Sequence, residues 1–203
     1  MIRHLRTTAG VLLAGAALAA CGSQPPHQGS AAVVGGERIS IAAVEARVGE
    51  VRQGVAAETG GQQAERAGLV RRTVVDLVLD RVVAQALVDR QLTVTDGEIA
   101  EAKESQARMM GGEAELAREL LVRQNVPADA VDSFYRQQLG IQKLAAGKDP
   151  RTPEGDAAIR SALTDAGAKL KIEVNPRYGR WDVQQIGLVT APADWIKQPA
   201  ATA

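Results

Sequence analysis

Apolar residues recur along most of this chain at helical spacing. Val44, Val48, Val51 and Val55 stand three or four positions apart, and Ser40 just ahead of them is a suitable N-cap. The strongest element is predicted over about residues 65–90. Leu69, Val70, Val74, Leu77, Val78 and Leu87 make one face, while Val75, Leu79 and Val83 point the other way. A helix apolar nearly all round belongs at the centre of a bundle, with neighbours on both sides. Its polar positions, among them Arg71, Arg72, Asp76, Asp80 and Arg81, are scattered and are expected to be solvated or locally paired. Thr95-Asp96-Gly97-Glu98 reads as a capping box, with Val94 and Ile99 placed for a hydrophobic staple. The helix it opens is expected to run to about Met110 and stop at Gly111-Gly112. A shorter helix over 113–124 presents Leu116, Leu120 and Leu121. After the break at Asn125-Val126-Pro127, a further helix over 128–146 carries Val131, Phe134, Tyr135, Leu139, Ile141 and Leu144.

Near the two ends of this helical body the pattern changes. Val33-Val34-Gly35-Gly36-Glu37-Arg38-Ile39 predicts a short hairpin with a two-glycine turn. Residues 58–64 are rich in Gly and Gln and predict a loop. Thr152-Pro153 is an N-cap followed by Pro at the first helical position, and Gly167 is the expected C-terminal stop of that helix. Leu170, Ile172 and Val174 then alternate with charged residues, as in a half-buried strand ended by Asn175-Pro176, and a second short strand is expected within 183–189. The fold class is therefore mainly α, with a little sheet built from both ends of one body over 31–189. The Ala/Pro-rich tail over 190–203 is expected to be disordered, and no internal repeat is evident.

The beginning of the chain follows a different logic. Arg3, His4 and Arg6 precede an apolar run from Ala9 to Ala20, the layout of an export signal over residues 1–20. The run is too short and small-sided for a comfortable membrane span. It ends in Leu18-Ala19-Ala20-Cys21-Gly22, which resembles the bacterial lipoprotein box. The resemblance implies diacylglyceryl transfer to Cys21 and cleavage just before it, so that two acyl chains tether the protein to the outer face of a membrane. Residues 21–30, rich in Gln, Pro, Gly and Ser, read as a flexible spacer.

Composition narrows the chemistry. The 203 residues carry 24 basic and 24 acidic side chains, which gives no electrostatic reason to expect nucleic acid. The lone cysteine is assigned to the anchor, so no disulfide or thiolate nucleophile is expected. Both histidines lie before residue 31, and the body contains no nucleophile-elbow, P-loop or dinucleotide motif and no metal-ligand spacing. No catalytic residue, metal or cofactor is assigned. The many carboxylates sit mostly on helix faces one or two turns from a basic residue, as in Glu115–Arg118 and Glu119–Arg123, the pattern of exposed helix pairs.

The hairpin Val33 to Ser40 leading into a helix resembles the start of SurA-like, PrsA-like and trigger-factor-like chaperone domains. The run from Val75 to Arg81 and on to Ala86, followed by Leu92-Thr93-Val94-Thr95-Asp96-Gly97-Glu98-Ile99, resembles that domain's central helix and capped turn. The correspondence continues to about Ala146, and the run from Asn175 to Asp182 resembles a C-terminal signature of lipoproteins of this group. The resemblance implies a helical cradle that shields apolar segments of unfolded exported proteins. It also implies a C-terminal strand returning to pair with the hairpin at Val33 and Val34. A parvulin-type prolyl isomerase domain is often inserted between cradle and strand. Here only 22 residues, Gly147 to Ala168, fill that interval, too few for an independent core. The body also lacks the histidines and cysteine usual in a parvulin site.

The expected function is thus a membrane-anchored extracytoplasmic holdase without catalysis, whose partners are unfolded or nascent exported proteins. The alternatives are an adaptor lipoprotein with one envelope partner and, less favoured, an isomerase-related foldase. Met109, Met110, Phe134 and Tyr135 are the candidates for an adaptable apolar contact surface, with membership of the core as the competing reading. Tyr178 and Trp181, flanked by Arg177 and Arg180, either stack on a partner or shield the end of the sheet.

Overall fold

A computed structural model of the protein describes residues 29–62 and 65–190. The signal over 1–20, the lipidation position Cys21 and the tail beyond Thr190 lie outside the described residues. The chain opens with the predicted hairpin, β1 (Ser30–Val34) and β2 (Glu37–Ser40), so the body starts one residue earlier than the composition of the spacer implied. Gly35 and Gly36 take φ of 60° and 84°, the two consecutive positive values that a tight two-residue hairpin turn requires. Ser40 ends β2 and caps α1 (Ile41–Thr59), its hydroxyl accepting from the Ala43 N–H at 3.0 Å.

The central helix α2 (Leu69–Asp89) starts four residues later than its apolar pattern suggested, after Gly68 in the left-handed conformation. It packs against α1, α5, α6, β1 and β5, the neighbours on several sides that its all-round apolarity demands. Helix α3 (Asp96–Met110) carries the full capping box: Thr95 accepts from the Glu98 N–H, and Glu98 accepts from the Thr95 N–H at 2.8 Å. Helix α4 (Glu113–Gln124) follows the Gly-Gly break, and Asn125 closes it in the left-handed conformation. A 3-10 turn over Ala128–Ala130 takes the place of the first turn that the pattern predicts for α5 (Val131–Leu144).

The largest departure from the pattern comes next. Helix α6 (Pro153–Leu170) does not stop at Gly167. It continues through it to Leu170 and turns at Lys171, whose φ is 46°. Gly167 is buried and serves packing: a Cβ there would stand 3.4 Å from Val183 Cγ1 and 3.9 Å from Trp181 Nε1. The alternation of Leu170, Ile172 and Val174 therefore yields only a two-residue strand, β3 (Glu173–Val174). That strand does return to the hairpin. Ala32 pairs with Val174 and Val33 with Glu173, antiparallel, in a sheet of order β2-β1-β3. The Gly35 N–H also donates to the Leu170 carbonyl at 2.7 Å, which pins the hairpin tip to the end of α6. The expected strand within 183–189 is instead the second half of a small hairpin, β4 (Arg180–Asp182) and β5 (Gly187–Val189), with Val183 in its turn. The interval between α5 and β3 thus holds a turn and α6, packed on α2.

The buried apolar residues form two clusters. The main one joins the sheet, α1, α2 and α6 with the end of α5 around Val44, Val74, Val78 and Leu144. The smaller one joins α3, α4 and the start of α5 around Ile99, Leu116, Leu120 and Tyr135. Among the described residues no helix is long and apolar enough to cross a membrane.

Candidate functional site

A cleft of about 330 Å³ opens where the two clusters face one another. Its apolar floor is shared: Leu77 comes from the main cluster, Val126 and Phe134 from the smaller one. The walls are polar. Arg72, Asp76 and Asp80 project from α2, Arg47 from α1, Arg123 and Asn125 from the end of α4, and Ser133, Gln137 and Gln138 from α5. The helical period places Arg72, Asp76 and Asp80 on one line, one turn apart, so α2 presents a charged stripe to the cleft although most of its surface is apolar.

The two carboxylates of that stripe are in an unusual state. The Asp76 side chain is exposed on the lip of the cleft, yet the water it loses to the surrounding protein pushes its carboxyl up to about 6. The nearby charge of Arg72 opposes that rise and the charge of Asp80 adds to it. Asp80 is raised for the same reason, loss of water, against the pull of a hydrogen bond from Gln137 Nε2 at 2.6 Å and the charges of Arg47 and Arg81. The arginines are unevenly engaged. Arg47 pairs with Glu50 at 3.3 Å and Asp129 at 3.4 Å, and Arg123 with Glu119 at 3.6 Å. Arg66 donates to the Arg123 carbonyl at 2.8 Å, which ties the segment before α2 to the end of α4.

A shallower depression of about 150 Å³ continues along the seam between α2 and α5. It shares Asp80, Ser133 and Gln137 with the cleft and adds Val83, Ala84, Leu87 and Arg136 in an almost wholly apolar surface. Gly140 lets the helices approach here, since a Cβ on it would meet Val83 Cγ1 at 2.8 Å. Together the two hollows form one track that passes from charged to apolar. It could receive an extended chain, satisfying backbone groups on amide and hydroxyl side chains and covering apolar side chains on the seam. Nothing in it arranges a nucleophile beside a base, and among the described residues no group of His, Cys, Asp and Glu could hold a metal ion.

Of the residues expected to contact a client, the structure brings only Phe134 to this track, where it is half-buried and meets the Tyr135 ring edge-on at 5.5 Å. Tyr135 is buried in the smaller cluster, and Tyr178 and Trp181 in the main one, so all three are corrected to core residues. Tyr178 is covered by its neighbour Arg177, whose guanidinium lies 4.6 Å from the ring centre. Met110 is half-buried against the smaller cluster. Met109 is 72% exposed at the end of α3, away from the cleft lining. The residues that do line the track include Asp76, which is exposed, and Asp80, which pairs with Gln137, so both are solvated or locally paired as the sequence predicts. The available signal was an acid pair one turn apart on a helix with almost no polar face to spare.

No curated protein and no solved structure matches the chain. A family model described as the SurA-like N-terminal domain matches residues 3–145, a span that runs from before the hairpin to the end of α5 and includes every residue of the track. The domain is of chaperone type and is not itself a catalytic one. On that match, carried over the larger part of its length, the chain belongs to the SurA-like N-terminal domain family.

Proposed function

We propose that this protein is a membrane-anchored extracytoplasmic chaperone that holds extended segments of exported proteins in the α2/α5 track, without covalent chemistry. The observation that carries the reading is the track itself. It is a cleft large enough for a few residues of extended chain, rich in amide and hydroxyl groups, and it opens onto an apolar seam. Membership of a chaperone-type family supports it. The Leu18-Ala19-Ala20-Cys21 box supports the anchor and the outer membrane face.

A photoreactive side chain at Gln138, exposed on the lip of the cleft, tests the reading in the full chain within its native envelope. Many different crosslinked exported proteins, displaced by an added unfolded polypeptide, are expected. One sharp partner band that unfolded polypeptide does not displace would overturn the holdase in favour of an adaptor with a fixed envelope partner.

A further inference from the structure

The charges in the cleft do not balance. Four arginines (Arg47, Arg66, Arg72 and Arg123) line it against two carboxylates, Asp76 and Asp80. Arg47 and Arg123 are held by acidic partners, Glu50 with Asp129 and Glu119 respectively. Among the described residues no carboxylate lies within ion-pairing distance of Arg66 or Arg72, and Arg66 donates only to a backbone carbonyl. The cleft therefore offers two guanidinium groups whose fork geometry suits a carboxylate. We infer that it selects extended segments bearing an Asp or Glu side chain, which Arg66 and Arg72 take, and that Asp76 competes with that side chain for Arg72. The inference rests on the peptide-holding reading and names the class of segment held.

The competitor gives the site a pH dependence of defined sign. Asp76 shares the cleft lining with Arg47 from α1, Arg66 from the segment before α2, Arg72 and Asp80 on its own helix, and Arg123 from α4, while α5 contributes the uncharged Ser133, Phe134, Gln137 and Gln138; of the charges, Arg72 and Asp80 bear on its carboxyl. Its carboxyl takes up a proton at about 6. A client carboxylate, solvated until it binds, keeps its charge to about 4. Between these values the cleft loses one negative charge while the ligand keeps its own, so acidic segments bind more tightly as pH falls through 6.

The test uses the full chain and two fluorescent peptides of identical apolar sequence, one with a central Asp and Glu, the other with Asn and Gln in their place. At about pH 7.5 the acidic peptide is expected to bind about fivefold more tightly than its amide twin, and the ratio should widen several-fold at about pH 5.5. Arg66→Gln with Arg72→Gln, both at exposed positions, should collapse the ratio to one. Asp76→Asn should give the wide ratio at both pH values. Equal binding of the two peptides would overturn the selectivity and leave the chaperone reading standing; no binding of either would sink both. Inorganic phosphate that displaces the acidic peptide at equal concentration would also overturn the inference, because the arginines would then serve a free oxyanion.

Discussion

The two hydrophobic clusters differ in size and material, and the difference separates what holds the fold from what can move. The main cluster has twenty-three buried residues, nine of them valine, drawn from both ends of the chain. The smaller has five, contributed by α3, α4 and α5 alone. Burial of apolar area is the dominant stabilising term, so the smaller cluster should open first. Val94, packed against both clusters, and α5, which gives Tyr135 to one and Leu144 to the other, are the joints between them. The cleft lies at this boundary, where one wall is fixed by the large cluster and the other is backed by the small one. A binding track with one firm and one yielding wall suits clients of differing bulk.

The sharpest way to break this comparison is to hollow out each cluster in turn. Leu144→Ala and Leu120→Ala remove side chains that are 2% and 3% exposed, and each should cost about 2–5 kcal/mol. Their hydrogen-exchange signatures should differ. Leu144→Ala should lower protection throughout, whereas Leu120→Ala should speed exchange over α3 and α4 and leave α2, α6 and the sheet protected. Uniform loss of protection in both variants would show a single cooperative unit.

The seam gives the next effect in size. Gly140→Ala brings a methyl to 2.8 Å from Val83 Cγ1 and 3.1 Å from Leu87 Cδ1. Overpacking of that order costs about 1–3 kcal/mol, against about 1 kcal/mol gained from helix propensity. A net loss of about 1 kcal/mol is expected in denaturant unfolding, and Val83→Ala in the same chain should recover part of it. If the two losses simply add, α5 does not bear on α2 at this point.

The carboxylates sharpen the contrast by moving in opposite directions. A hydrogen bond from the Lys143 ammonium, then the N–H and hydroxyl of Thr95, hold the Glu98 carboxyl down at about 2. Its contribution is present above its ordinary value near 4.5 and is lost as pH falls toward 2. Asp76, raised from 3.8 to about 6, has the reverse sign: ionising it in the folded state opposes folding above pH 6, and the opposition is relieved on acidification through 6 toward 4. Stability should therefore rise gently from neutral pH to about 5 and fall below about 4.5. Asp76→Asn should flatten the rise, and Thr95→Ala should cost about 1 kcal/mol at neutral pH and weaken the acid limb. A rise unchanged by Asp76→Asn would mean that the cleft does not raise the Asp76 carboxyl.

The sequence made the helices legible because their signals are local. Ser40, Thr95 and Thr152 cap α1, α3 and α6 as expected, and the two glycines at 35 and 36 make the hairpin turn. The end of α6 was misread because glycine has two uses. As a stop it needs a left-handed backbone, whereas at 167 it lets the helix approach Trp181 and Val183, residues 14 and more positions away that no local pattern connects to it. The candidate contact residues carry a related ambiguity. An aromatic or a methionine looks the same in the sequence whether it faces a client or a core, and Tyr135, Tyr178 and Trp181 face the core. What the cleft uses instead are Asp, Arg and Gln side chains, which are common on any helix and acquire meaning only when α1, α2, α4 and α5 bring them together.

The smallest expected effect concerns the two adjacent methionines. Met109 is 72% exposed at the end of α3, while Met110 beside it is half-buried against the small cluster. Consecutive residues on a helix point about 100° apart, so one methionine can serve the interior while its neighbour serves none of it. Met109→Gln should change stability by less than about 0.5 kcal/mol, whereas Met110→Gln puts an amide against apolar partners and should cost more, about 1 kcal/mol. Thermal unfolding of the two variants side by side measures the difference. If Met109→Gln is the more costly, α3 is rotated relative to the small cluster, and the yielding wall of the cleft would have to be redrawn around Met109.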